Sequence, residues 1–372
     1  MNTEHLKFRI ALTLINGVGN SIARNLISYL GSEEAVFAEK KSLLVKIPGI
    51  GEHLARELTN PNAALQRAEQ EIEFILHNSV AVHYYKDDSY PSRLRECNDA
   101  PLLLYSRCAS GFNSQRVVSV VGTRNATEYG KKMCRDLIFN LSQIPSLVVV
   151  SGLAYGIDIC AHKAALDAGI PTIGVVAHGL DRIYPGHHRS VAVQMLERGG
   201  LVTEYLSGTN PDRQNFIQRN RIIAGMSDAV VVVESGLKGG ALITADLGVD
   251  YNRDVFAYPG RSGDPWSIGC NYLIKSNRAG MVESADDLLT ALGWKTSDYK
   301  AQNPQTTLFP ELTDLETTVY NFIQSSSESV QVNELSLKLN LPYSRLSAVL
   351  LTLEFKSVIK CLPGNRYCVS VN

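Results

Sequence analysis

The chain has 372 residues, 45% of them hydrophobic and 20% charged, with a formal net charge of −1. That length suits two or three domains at roughly 100–200 residues each, and the composition is that of an ordinary soluble chain. A charge so close to zero excludes a globally basic nucleic-acid binder, so any site for a polyanion must be a locally focused one.

The longest apolar runs are strand-sized, far short of the ~20 residues of a membrane span. The start of the chain carries no basic-then-apolar export pattern. A cytoplasmic protein that makes no membrane contact is expected. The seven cysteines form no Cys-x-x-Cys pair, which argues against a disulfide framework or zinc ribbon and for thiols in a reducing compartment. His187-His188 is a pair, but no carboxylate or thiol set completes a metal site around it.

Residues 1–80 read as a helical domain of helix-hairpin-helix (SAM-like) type. Gly17-Val18-Gly19-Asn20-Ser21-Ile22-Ala23 and Gly49-Ile50-Gly51-Glu52-His53-Leu54-Ala55 repeat one pattern. The paired glycines allow a tight hairpin, and the second glycine opens a new helix. Backbone N–H groups at such a start can hold a DNA phosphate. Packing alone is the rival reading, and Glu52 would repel a phosphate.

Residues 81–294 form the main domain, entered through Tyr90-Pro91 and Asp99–Tyr105. Short β-rich runs (117–121, 147–150, 172–176, 201–203, 229–233 and 255–257) alternate with amphipathic stretches such as 130–142, 157–168 and 191–198. This alternation predicts an α/β, Rossmann-like, mostly parallel sheet, whose ligands bind outside the carboxyl ends of the strands. Residues 295–311 are polar and aperiodic and read as a linker. Residues 312–372 show three helical stretches and a β-rich end with a Pro363-Gly364-Asn365 turn, a winged-helix pattern. Its third helix holds only Arg345, with Lys356 just beyond, which favours a protein contact over DNA.

Four segments carry the candidate chemistry, three at predicted strand ends and one on a helix that leads into a strand. Gly122 and Arg124 follow the first strand of the alternating set. Ser151, Gly152, Tyr155 and Gly156 make a glycine turn before a helix, an anion cradle in which Asp158 and His162 read as a cap and its partner. Phe216, Arg219, Asn220 and Arg221 lie on a helix before the 229–233 strand, and guanidinium forks suit phosphate oxygens. Lys238, Gly239, Gly240 and Thr244 sit in and after a second glycine turn. Gly-x-Gly-x-x-Gly after the first strand, the P-loop pattern and Gly-x-Ser-x-Gly are all absent, so no nucleotide cofactor and no serine nucleophile is expected. The acids Asp158, Asp181, Glu204 and Glu234 are scattered without an evident acid/base pair.

Taken in order, these motifs resemble the DNA-processing protein A (DprA/Smf) family. The resemblance rests on Tyr90-Pro91, Val121-Gly122-Thr123-Arg124, Ser151-Gly152 through Gly156 to Asp158, Ala161-His162, Gly179 to Asp181 with Tyr184-Pro185, and Thr203-Glu204-Tyr205. It continues through Phe216 with Arg219 to Gly225, Gly240 to Ala245, and Pro259-Gly260. It is close over 90–290 and looser at both ends. It implies a non-enzymatic protein that binds single-stranded DNA, pairs with a second copy through its Rossmann-like domain and loads RecA recombinase during natural transformation. It also implies action where single-strand-binding protein coats that DNA. Arg124, the Ser151–Gly156 turn and the Phe216–Arg221 segment are the implied DNA contacts. Two departures stand out: Gly239-Gly240 where the family commonly has Ser-Gly, and Lys356-Ser357 where a glycine is common. Rival readings are a nucleotide phosphoribohydrolase on the same sheet, for which the catalytic glutamate is missing and Asp246 is the nearest acid, and a protein-binding scaffold.

Overall fold

A computed structural model describes residues 3–109, 112–295, 312–326, 329–356, 358–362 and 364–369. The expected linker from 296 onward, Ser357 and Pro363 lie outside the described residues. The chain divides into two compact units, Met1–Ala301 and Gln302–Asn372.

The first unit opens with α1 (Thr3–Leu14), α2 (Asn20–Leu30), α3 (Glu33–Ala38), α4 (Lys41–Leu44), α5 (Glu52–Leu58) and α6 (Asn62–His77). Leu6, Ile10, Leu26, Ile27, Leu44 and Leu58 fill their common core. The internal repeat is built twice with one geometry: Gly19 (φ −80°, ψ 170°) caps α2, and Gly51 (φ −83°, ψ 170°) caps α5. The surroundings of the two hairpins differ. The first is turned onto the segment that follows Tyr90: Asn20 Oδ1 accepts Leu102 N at 3.1 Å and Arg24 Nη2 donates to Ala100 O at 2.8 Å. The second is exposed at Gly49, Gly51 and Glu52, with Glu52 paired to Lys41 at 2.5 Å.

The sheet region follows as β1 (Ala81–Tyr84), α7 (Ser92–Arg95), β2 (Leu103–Cys108), β3 (Arg116–Val121), α8 (Glu128–Leu141), β4 (Leu147–Ser151), α9 (Ile157–Asp167), β5 (Thr172–Val175), α10 (Arg189–Arg198) and β6 (Gly200–Thr203). It continues with α11 (Arg213–Gly225), β7 (Ala229–Val232), α12 (Gly240–Asp250), β8 (Asp254–Ala257), α13 (Ile268–Lys275), β9 (Gly280–Met281) and α14 (Ala285–Ala291). Among the described residues nine strands lie in the order β1-β2-β6-β5-β4-β3-β7-β8-β9. From β6 to β9 every pairing is parallel, while β1 and β2 close one edge antiparallel. The strands from β3 to β8 are those of the predicted alternation. Gly280-Met281 is too short to carry a pattern.

Val118, Val120, Val149, Val231 and their neighbours are buried because helices cover both faces of the sheet, which explains the unbroken apolar runs. The chain runs outward from β3 in one direction through β4, β5 and β6, then returns to β7 on the other side of β3. The gap between β3 and β7 is therefore the topological switch point, where open α/β sheets place their ligands.

The second unit contains α15 (Asp314–Ser325), β10 (Val330–Gln331), α16 (Val332–Lys338), α17 (Tyr343–Phe355), β11 (Ile359–Leu362) and β12 (Arg366–Val369). A Thr313–Glu316 capping box starts α15. Val319, Ile323, Leu335, Leu346 and Leu350 form the core, and the small sheet runs β10-β12-β11, the winged-helix arrangement.

Candidate nucleic-acid interface

A cavity of about 600 Å³ lies outside the carboxyl ends of β3 and β7, at the switch point. Nine of the expected residues line it: Gly122 and Arg124 after β3, Phe216, Arg219 and Asn220 on α11, and Lys238, Gly239, Gly240 and Thr244 around the start of α12. Asn220 Nδ2 donates to Gly240 O at 3.3 Å and ties the two helices together at the rim.

Phe216 is the centre of the polar wall. The Arg124 guanidinium stands 5.0 Å from its ring centroid and that of Arg219 5.7 Å, both within cation–π range. Tyr184 tilts against the same ring at 5.9 Å. Arg124, Arg213 and Lys238 are exposed at the cavity and form no ion pair among the described residues. The cavity therefore offers fixed positive charge around an aromatic platform.

The two α11 arginines do different work from the phosphate forks that the sequence suggests. Arg219 is 3% exposed, and its Nη1 donates to Gly152 O at 2.7 Å and to Val175 O. Burial lowers its guanidinium to about 10, which still leaves it charged at neutral pH. Arg221 leaves the cavity altogether, donating to Asp99 O and pairing with Glu204. Burial raises the Glu204 carboxyl against the pull of Arg221.

Nor is the turn after β4 an open cradle. The Asp158 carboxylate accepts the N–H groups of Gly152 and Ala154, so the anion that the cradle holds is the protein's own side chain. Burial raises the Asp158 carboxyl, opposed by Arg219. Gly152 has no room for a side chain: a Cβ there would lie 2.6 Å from both Arg219 and Asp158. Gly156 adopts φ +78°, and a Cβ on it would come within 2.1 Å of Thr123 O. Ser151 is buried and donates to Val120 O at 2.6 Å. Tyr155 is exposed but stands edge-on to His188, at 4.9 Å, outside the cavity lining.

His162 does not partner Asp158 as expected. Its Nε2 accepts Leu153 N at 3.3 Å, and its Nδ1 meets Thr172 Oγ1 at 2.7 Å. His188 Nδ1 donates to Leu153 O at 2.9 Å. Between them they hold Leu153 at φ +55°. Burial pushes the His162 imidazole down to about 3, so it is neutral.

Sequence reasoning missed Arg213, Ile217 and Tyr184. For the first two a signal existed: 213, 216, 217 and 220 are one helical face at i, i+3, i+4 and i+7.

Comparison with known proteins bears on this geometry. The DNA recombination-mediator protein A family matches residues 81–293, and the DprA winged helix domain matches 303–365. The DNA processing protein DprA of Streptococcus pneumoniae is 40% identical over 203 residues, 55% of this chain and 71% of that protein. A crystal structure of DprA from the same organism superposes with a TM-score of 0.63 at 31% identity, covering 78% of this chain and 97% of the other. A structure of DNA processing protein A from Helicobacter pylori, described by its single-stranded DNA binding mode, gives 0.52 at 28% identity, covering 59% and 97%. With the core match spanning most of the sheet and its switch-point cavity, the chain belongs to the DNA recombination-mediator protein A (DprA/Smf) family.

Proposed function

We propose that this chain is a recombination mediator that binds single-stranded DNA in the switch-point cavity, protects the incoming strand and loads RecA onto it during natural transformation, in the cytoplasm. The observation that carries the reading is the grouping of Arg124, Arg213 and Lys238, free of ion pairs among the described residues, around Phe216. Unstacked bases find a π-face there and phosphates find cations, the combination that suits single strands without sequence preference. The DNA-contacting set is then Gly122, Arg124, Arg213, Phe216, Asn220, Lys238, Gly239, Gly240 and Thr244. Arg219 lines its floor and holds the β4 turn of Ser151, Gly152 and Gly156 behind it, while Arg221 and Tyr155 stand outside it. Residues 1–80 serve as an accessory helical domain.

A non-catalytic role is supported by what the scattered acids do. Glu234 accepts Thr127 N at 2.9 Å at the start of α8, Asp181 accepts Gly208 N at 3.0 Å, Glu204 holds Arg221, and Asp158 holds the β4 turn. Asp246 lies off the cavity and pairs with Arg278 at 2.8 Å. Pairing of two copies has a candidate surface where exposed Leu237, Ile243 and Tyr272 border one groove.

The test is fluorescence anisotropy with single- and double-stranded oligonucleotides of equal length. Preference for the single strand is expected, and equal or absent binding at low salt refutes the reading. RecA filament formation on single strands coated by single-strand-binding protein, with and without this protein, tests the loading step. Release of free base from nucleoside monophosphates would instead establish the phosphoribohydrolase reading.

A further inference from the structure

Helices α8 and α9 pack side by side, and each carries a cysteine at their seam. Cys134 is buried on α8, and Cys160, in the first turn of α9, is half-buried. The two thiols face each other across this seam and influence each other's titration. Each also reaches the opposite backbone: Cys160 Sγ lies 3.5 Å from Lys131 O, and Cys134 Sγ 4.0 Å from Ile157 O. We infer that Cys134 and Cys160 form a dithiol modification site, which a two-electron oxidant of the peroxide class closes to a disulfide that ties α8 to α9.

The surroundings decide which sulfur attacks. Cys134 beside it and the positive charge of Arg135, Lys131 and Lys163 pull the Cys160 thiol below its ordinary value, while that of Cys134 is raised. Burial pushes up the thiols of Cys97, Cys108 and Cys270, which leaves them unreactive. The Cys160 thiolate attacks a peroxide oxygen, and the O–O bond breaks. Hydroxide leaves and recombines with the proton that Cys160 had released. The Cys134 sulfur then attacks the sulfenic sulfur of Cys160, the S–O bond breaks, and hydroxide departs with the Cys134 proton. Two thiols and one hydrogen peroxide become one disulfide and two waters.

The tie would act on the candidate interface. Ile157 N, at the start of α9, donates to Thr123 O at 3.2 Å, and Gly156 lies flat against the Thr123–Arg124 backbone. Drawing α8 and α9 together therefore moves the turn that presents Arg124. This second consequence rests on the single-strand reading; the dithiol itself does not.

The experiment treats the reduced full-length protein with stoichiometric hydrogen peroxide, then alkylates it under denaturing conditions for intact-mass and peptide mapping. Wild type is expected to lose two hydrogen atoms and to yield one linked peptide pair containing Cys134 and Cys160. Cys160→Ser and Cys134→Ser should each yield none. Linkage through other cysteines, or Cys160 sulfinic acid with no linked pair, overturns the proposal. Oxidised wild type should bind a single-stranded oligonucleotide about fivefold or more weakly, at the low end of couplings between sites. Dithiothreitol should restore it, and Cys160→Ser should not respond. A linked pair with unchanged affinity refutes the coupling to Arg124. If neither redox form binds the oligonucleotide, the single-strand reading falls while the mass result still decides the dithiol.

Discussion

Neutralising Arg124, Arg213 and Lys238 together, each to Ala, removes the exposed cations of the cavity that form no ion pair among the described residues. Each phosphate contact on a single strand contributes about 0.7 to the slope of log K against log salt. The triple variant should therefore lose about 2 from the slope, since 3 × 0.7 is about 2.1. Between 50 and 200 mM salt, a fourfold change, wild type should weaken roughly 18-fold more than the variant (4 raised to about 2.1). The three side chains are exposed, so the fold should tolerate the change and the melting temperature should hold within a few degrees. The assay is anisotropy with a labelled homopolymer oligonucleotide over a salt series. If the triple variant keeps the wild-type slope, phosphates do not sit against these residues and the site is misplaced. Arg221→Ala is the informative contrast: it faces Glu204 and Asp99, so it should cost stability and leave the salt slope unchanged.

Three more outcomes are expected. Arg219→Ala leaves the Gly152 and Val175 carbonyls without their buried donor and should cost about 1–3 kcal/mol for each unsatisfied group in denaturant unfolding; Arg219→Lys should not rescue it, and an unchanged midpoint would show these contacts to be unimportant. Phe216→Ala should weaken single-strand binding by about 1–3 kcal/mol at constant salt slope, with Phe216→Trp retaining it; equal affinity for the Ala variant would remove base stacking from the mechanism. His162 should confer acid lability. Its folded imidazole titrates at about 3, below the ordinary 6.5, so between those values the unfolded chain binds a proton that the native chain lacks. The stability linked to it is complete above 6.5 and falls as pH drops, by about 1.4 kcal/mol per pH unit at the steepest. The buried Asp158 works in the opposite sense, so the comparison is wild type against His162→Gln at pH 7 and 5. Identical pH dependence in the two proteins would contradict a buried neutral imidazole.

The sheet was legible because both of its faces are covered: the runs 147–150 and 229–233 have no polar alternation, so their length and spacing mark them as parallel strands. The glycine repeat was legible too, since a positive φ at Gly17 and Gly49 tolerates few other residues. The α11 arginines were not. Adjacency in sequence suggested a single cationic patch, yet residues two apart on a helix point about 200° apart, so Arg219 and Arg221 cannot share one face. Arginine is also rarely buried, and nothing local to α11 announces that Gly152 O and Val175 O await it. The β4 turn carried the residues of an anion cradle, and only the tertiary arrangement reveals that Asp158 fills it.

That internal counter-ion has a consequence for selectivity. On the proposed reading, a glycine turn already filled by the protein's own Asp158 carboxylate leaves little grip on a lone nucleotide. The proposed contacts at Arg124, Arg213 and Lys238 are spread along a rim and would add up when one covalent chain spans several at once. Affinity should therefore climb steeply with oligonucleotide length, and the cellular pool of mononucleotides should compete poorly. Such a protein can stay available for long strands in the presence of abundant nucleotides, without needing a gate to keep them out.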